Sequence, residues 1–178
     1  MTLVAAATSI PTRGDRRCAN ADLRVRPIEL TDAAALVRFH AHLSDRSVQL
    51  RYFYPHRELG PDEVAHLTCV DGYNRAAFVV EHQSEIIAVG RYDRLDDHCC
   101  AEVAFVVADE FQHHGLGTML LQRLVENARH AQISEFKASV LAENTAMLAV
   151  FRRAGFPMTQ TRTCDVVELS MRIGPRGI

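Results

Sequence analysis

Between Cys99 and Leu141 the apolar pattern changes period twice, and this constrains the fold more than any other feature of the chain. Cys99–Ala108 is a β-branched apolar run of the kind that forms a strand. In Gly115–Ala131 the apolar residues Leu116, Met119, Leu120, Leu124, Val125 and Ala128 recur on one helical stripe. Phe136–Leu141 returns to a strand pattern. A strand, a helix and a second strand in this order need a crossover, which places the two strands parallel in one sheet. Ligands of such sheets bind beyond the carboxyl ends of the strands. The loop Asp109–Thr118 is therefore the first place to look for chemistry.

The flanking segments supply the rest of the sheet. Leu23–Ile28 alternates apolar and basic residues with period two and predicts an opening strand. Thr31-Asp32 is expected to cap a helix over Ala33–Leu43. A second helix over Asp45–Phe53 stops before Tyr54-Pro55, because a residue preceding proline avoids the helical region. Pro61 suits the first position of a short helix, Asp62–Cys69. Ala76–Glu81 and Glu85–Arg91 read as a hairpin. Asn144 is expected to cap a helix carrying Met147, Leu148, Phe151 and Ala154, with Gly155 just past its end and Arg152-Arg153 in its last turn. Met158–Arg162 and Val166–Arg172 read as two final strands. The chain thus predicts an α/β (α+β) fold: a mixed, mostly antiparallel sheet of six to seven strands with four to five helices. Residues 22–173 form one domain, between an expected disordered tail at 1–21 and a frayed end at 174–178.

Composition narrows the function classes. The chain has 178 residues and a formal net charge of -2, which offers none of the basic excess of a nucleic-acid binder. Its five cysteines, Cys18, Cys69, Cys99, Cys100 and Cys164, are odd in number and lack a C-x-x-C spacing. Reduced thiols in a cytoplasm are expected, rather than a disulfide framework. No run reaches the ~20 apolar residues of a membrane span. His98, Cys99, Cys100, His113 and His114 match no zinc spacing, so no metal is expected.

The loop after Cys99–Ala108 reads Gln112-His113-His114-Gly115-Leu116-Gly117-Thr118. A glycine-bearing turn that opens a helix aims several backbone N–H groups at one point, where the helix dipole favours an anion. Glycine lets the backbone come close to a phosphate. A P-loop would require Gly-Lys-Ser/Thr, but Gly117 is followed by Thr118 and Met119. A dinucleotide fingerprint would place a small residue where Leu120 stands.

The pattern that fits is Gln/Arg-x-x-Gly-x-Gly/Ala, and on it the chain resembles the GNAT superfamily of N-acetyltransferases. The preceding strand Ala101–Val107 and the following helix resemble the family's fourth strand and central helix. Val140–Asn144 leading into Phe151-Arg152-Arg153-Ala154-Gly155-Phe156 resembles its second landmark. Leu43–Phe53 and Ala101–Phe105 further resemble the GNAT domains of bacterial protein lysine acetyltransferases. Those enzymes often carry a regulatory domain, for which 178 residues are expected to leave no room.

The resemblance implies acetyl-CoA as cosubstrate and an amine as acceptor, either a small molecule or a protein lysine. It implies that the backbone of Phe105, Val106 and Val107 pairs with the pantetheine arm. The backbone of Gln112, His113, His114, Gly115, Leu116, Gly117 and Thr118 would hold the pyrophosphate. Asn144 would lie near the thioester, Phe151 would pack beside the cofactor, and Arg152 or Arg153 would reach the 3′-phosphate. Glu102 is the expected general base, since a lone carboxylate in an apolar strand is either paired or functional. Burial there would raise its affinity for a proton toward the working pH. The rival reading pairs Glu102 with Arg91 or Arg94. Many family members carry a tyrosine acid where Phe151 stands, which leaves Tyr92 and Tyr73 as candidate acids. Phe151 also supports an alternative function, an acyl-CoA-binding sensor or regulatory module with little or no turnover. The sequence is compatible with a homodimer, and it points to no nucleic-acid or membrane partner.

Overall fold

A computed structural model describes residues 23–174; the expected tail at 1–21 and most of the expected frayed end lie outside them. Among these residues, strand β1 (Leu23–Pro27) leads through a 3₁₀ turn (Leu30–Asp32) into α1 (Ala33–Ala41), α2 (Asp45–Tyr52) and α3 (Pro61–Thr68). The hairpin β2 (Arg75–His82) and β3 (Glu85–Arg94) follows, then β4 (Cys100–Val107). The chain closes with α4 (Leu116–His130), β5 (Glu135–Leu141), α5 (Thr145–Arg153), β6 (Met158–Thr163) and β7 (Val166–Arg172). Every element expected from the residue pattern is present, with ends shifted by a few residues. No helix among the described residues is long and apolar enough to cross a membrane.

The strands form one sheet in the order β1-β2-β3-β4-β5-β7-β6. Gln83 and Ser84 both take positive φ, 50° and 66°, as a two-residue hairpin turn between right-twisted strands requires. All pairings are antiparallel except β4 with β5, the expected crossover pair. That parallel pairing is short. Cys100, Ala101 and Glu102 pair with Glu135, Phe136 and Lys137, and there it stops. Beyond Glu102, β4 stays with β3 as far as Val107, and β5 stays with β7 as far as Leu141. The sheet therefore splits into two halves that diverge like an open wedge.

Both faces of the sheet are covered. One face buries Leu120, Leu121, Leu124 and Ala128 of α4 against Val80, Tyr92, Val103 and Phe136. Each such leucine contributes roughly 1.5–3 kcal/mol by leaving water. The other face packs Leu36 and Phe39 of α1 on Ala77, Val79 and Val89. The alternation of β4 divides its residues between these layers. Ala101, Val103 and Phe105 face α4, whereas Ala104 and Val106 face the α1–α3 side.

The expected Thr31-Asp32 cap is not formed. Asp32 has helical backbone angles and makes no cap bond to α1. Its carboxylate instead takes both nitrogens of Arg26, at 2.7 and 2.8 Å, and the Glu29 N–H at 2.8 Å. Arg26 also donates to Glu81 at 2.5 Å. A charge-assisted, bidentate bond outweighs a single cap bond. Asn144, by contrast, caps α5 as expected, its Oδ1 accepting from the Met147 N–H at 3.1 Å. Gly155 follows at φ 74°, the left-handed position past a helix end.

Candidate active site

The wedge between β4 and β5 opens onto two adjoining cavities. The first, about 430 Å³, runs from β4 across the loop to α5. Phe105, Val106, Val107, Gln112, His113, Gly115, Leu116, Gly117, Thr118 and Asn144 line it. Of the loop and strand residues expected to hold the cofactor, His114 is exposed and lines neither cavity, while Phe151 lines the second. Arg153 lines the first cavity, but Arg152 turns to the Gln160 side chain at 3.4 Å.

The loop is shaped by backbone conformation. His113 and Gly115 have φ of 64° and 84°. Left-handed residues alternating with ordinary ones turn successive N–H groups toward one concavity. Gly115 stands at the N-cap position of α4, where no side chain caps the helix. The first N–H groups of a fifteen-residue helix therefore remain free for a ligand. A Cβ on Gly117 would lie 3.3 Å from Val150 Cγ2, so this glycine also sets how closely α4 and α5 pack.

The Gln112 side chain braces the loop. Its Nε2 donates to the Ser47 hydroxyl at 2.9 Å and to the Val107 carbonyl at 3.2 Å. Asp109 takes bonds from the Ser44 N–H, the Ser44 hydroxyl and the Ser47 hydroxyl at 3.0, 2.6 and 2.8 Å. Burial opposes the Asp109 charge, but these bonds prevail and hold its pKa below the ordinary value. The network ties the start of α2 to the loop, and so places Ser47, Leu50 and Arg51 along the cleft.

The second cavity, about 320 Å³, lies where the strands part. Glu102, Phe151, Ser139, Asn144, Tyr52 and Tyr54 are in its lining. Glu102 is exposed rather than buried, so the apolar enclosure expected from its strand is absent. It is the last β4 residue paired with β5, and its side chain sits at the apex of the opening. The rival pairing is absent too: Arg91 holds Asp93 at 2.9 Å, and Arg94 donates to the Ala131 carbonyl at 2.6 Å. Phe151 is buried and meets Phe105 edge-on, with ring centres 5.9 Å apart.

Neither tyrosine proposed as an acid reaches the cleft. Tyr92 is wholly buried and donates to Asn127 Oδ1 at 2.6 Å. Burial pushes its phenol up to about 12. Tyr73 lies on the surface, outside both cavities. The phenols that line the cleft are those of Tyr52 and Tyr54. The segment Leu43–Phe53, similar to known early helices, holds Tyr52 but stops short of Tyr54, and residue type alone singles out neither.

At the opposite end of β4, Asp97, Cys99 and Cys100 bring their polar atoms within 4.8 Å of one another. Burial, with the bond to Asp97 next, pushes the Cys100 thiol up to about 12, which works against the thiolate a metal needs. Cys69, Cys99, Cys100 and Cys164 are free thiols.

The family model for the acetyltransferase (GNAT) family matches residues 42–156, a span that holds both cavities and the loop. The chain belongs to the GNAT family of acetyltransferases. Acetyltransferase Pat of Mycolicibacterium smegmatis is 37% identical over 71 residues, 39% of this chain but 21% of that protein. The match thus spans about a fifth of the relative's length. The GNAT domain of S. lividans PAT superposes with a TM-score of 0.79 at 35% identity, covering 84% of this chain and 90% of that one. The fold also matches yncA of Salmonella typhimurium, described with acetyl-CoA as its cofactor, at a TM-score of 0.72 and 19% identity over 88% and 97% of the two chains.

Proposed function

We propose that the chain transfers an acetyl group from acetyl-CoA directly to an amine, a small molecule or a protein lysine, with Glu102 as general base. The observation that carries this reading is the wedge itself. It aligns the open edge of β4, the free N-terminus of α4 and a carboxylate along one continuous cleft.

In this reading the N–H groups of His113–Thr118 hold the pyrophosphate, and the dipole of α4 offsets its charge. The open β4 edge at Phe105–Val107 pairs with the pantetheine amides as a further strand would. This brings the thioester to the apex, beside Glu102 and Asn144. The acceptor ammonium gives a proton to the Glu102 carboxylate, directly or through water. The freed nitrogen lone pair attacks the thioester carbon, the carbon–sulfur bond breaks, and the nitrogen gives up its second proton to water. A thiol titrates near 8.5, so the CoA thiolate can leave as an anion and take its proton from solvent. The exposure of Glu102 favours such exchange with water, and no acid is required at Phe151.

The test is thiol release from acetyl-CoA with pooled amines and with a lysine-bearing protein extract. Release that depends on the acceptor supports transfer. Tight acetyl-CoA binding with no release from any acceptor overturns it in favour of a sensor.

A further inference from the structure

Two charged side chains line the second cavity, Glu102 and Arg51. Arg51 lies in the last turn of α2 and borders the first cavity as well. Arg91, the cation that acts on it, is committed to Asp93 at 2.9 Å. Arg51 makes no hydrogen bond or ion pair among the described residues, and its guanidinium carbon rests 4.9 Å from the centre of the Tyr52 ring. Burial lowers its pKa, while Tyr52, Glu102 and Asp93 act the other way and Arg91 adds to the lowering. A guanidinium stays protonated regardless. Of the charges that act on it, Glu102 shares the second cavity with it.

A half-buried cation without a counter-ion is unfavourable. A guanidinium presents a fork of donors that fits a carboxylate with two parallel bonds. A cavity that shows one cation and one carboxylate, without joining them, is complementary to a zwitterion. Its volume, about 320 Å³, falls in the small-molecule range.

We propose that Arg51 is an anion subsite in the acceptor half of the cleft, and that the acceptor is a small amine bearing its own carboxylate. The carboxylate binds Arg51, which turns the amine toward Glu102. This assignment rests on the acetyl-transfer reading and narrows it to amino-acid-like acceptors.

The test compares acceptors that differ in that carboxylate alone: Nα-acetyl-lysine against its carboxamide, and γ-aminobutyrate against butylamine. The carboxylated member of each pair is expected to have the higher kcat/KM, by roughly 10- to 100-fold, the worth of a hydrogen bond to a charged group. Arg51→Gln should erase that preference and leave acetyl-CoA affinity unchanged, which also shows that the variant is folded. If glutamine destabilises the chain, Arg51→Lys gives the same reading with a smaller fall. Equal rates for both members of each pair, or a preference for lysine within a protein, overturn the proposal. Loss of acetyl-CoA affinity in a folded Arg51 variant overturns it as well, by assigning Arg51 to a cofactor phosphate. Calorimetric titration of the CoA-loaded protein with the same pairs needs no turnover. A carboxylate preference there, without thiol release, would sustain the subsite while the transfer reading fails.

Discussion

A single methyl group added at Gly90 tests whether packing behind β4 shapes the cleft. Gly90 sits mid-strand in β3, opposite Phe105 of β4. A Cβ built there would lie 2.9 Å from Phe105 Cδ1 and 3.1 Å from both Phe105 Cε1 and Leu120 Cβ. Leu120 is wholly buried in α4 and its Cβ is fixed by the helix, so the Phe105 ring must yield. That ring forms a wall of both cavities and meets Phe151 edge-on. Overpacking of this kind costs about 1–3 kcal/mol. The lower entropy of an unfolded alanine chain offsets about 0.4–1 kcal/mol. Gly90→Ala should therefore lose about 1–2 kcal/mol, or roughly 2–8 °C in Tm for a domain of this size. Because Phe105 walls the cleft, its displacement should weaken acetyl-CoA binding roughly three- to tenfold, about 1 kcal/mol. Thermal denaturation and calorimetry read the two effects. Phe105→Leu in the same chain should recover part of both, as contacting residues do in a double-mutant cycle. An alanine variant as stable as the parent, with unchanged acetyl-CoA affinity, would refute the argument.

Two further perturbations follow from the same packing. Asp32 has its pKa lowered chiefly by the Arg26 bond, with burial opposing and the Glu29 N–H assisting. A depressed carboxylate stabilises the fold above its unfolded value near 3.9 and loses that contribution as pH falls through the folded value. Acid denaturation below about pH 4 should therefore be steeper in the parent than in Asp32→Asn, which should be about 2 kcal/mol less stable at neutral pH; parallel acid curves would refute this. Tyr92→Phe leaves Asn127 Oδ1 without its 2.6 Å donor and should cost about 1–3 kcal/mol with turnover unchanged. A loss of turnover at constant stability would return Tyr92 to the chemistry.

Local periodicity and turn chemistry made most of the fold legible. The crossover pair, the Asn144 cap, the Gly155 stop and the loop at Gly115 all depend on residues close together in the chain. The expectations that failed depend on distant ones. Asp32 looked like a cap because Arg26 and Glu81 are invisible to a local pattern. Glu102 looked buried because its strand is apolar, but its side chain sits where β4 and β5 separate, and three paired residues cannot be told from seven in sequence. Tyr92 looked available until Asn127 of α4 was found beneath it. Arg51 carries no distinguishing mark in the residue pattern, and its place along the cleft follows from the tether of α2 to Asp109 and Gln112.

The central claim is that Glu102 removes the acceptor's proton at the apex of the wedge. The most direct measurement is turnover of Glu102→Gln at saturating acceptor, with acetyl-CoA affinity measured on the same protein. The account predicts a fall in kcat of about 100-fold or more with acetyl-CoA binding unchanged. A variant that releases CoA at the parent rate contradicts it.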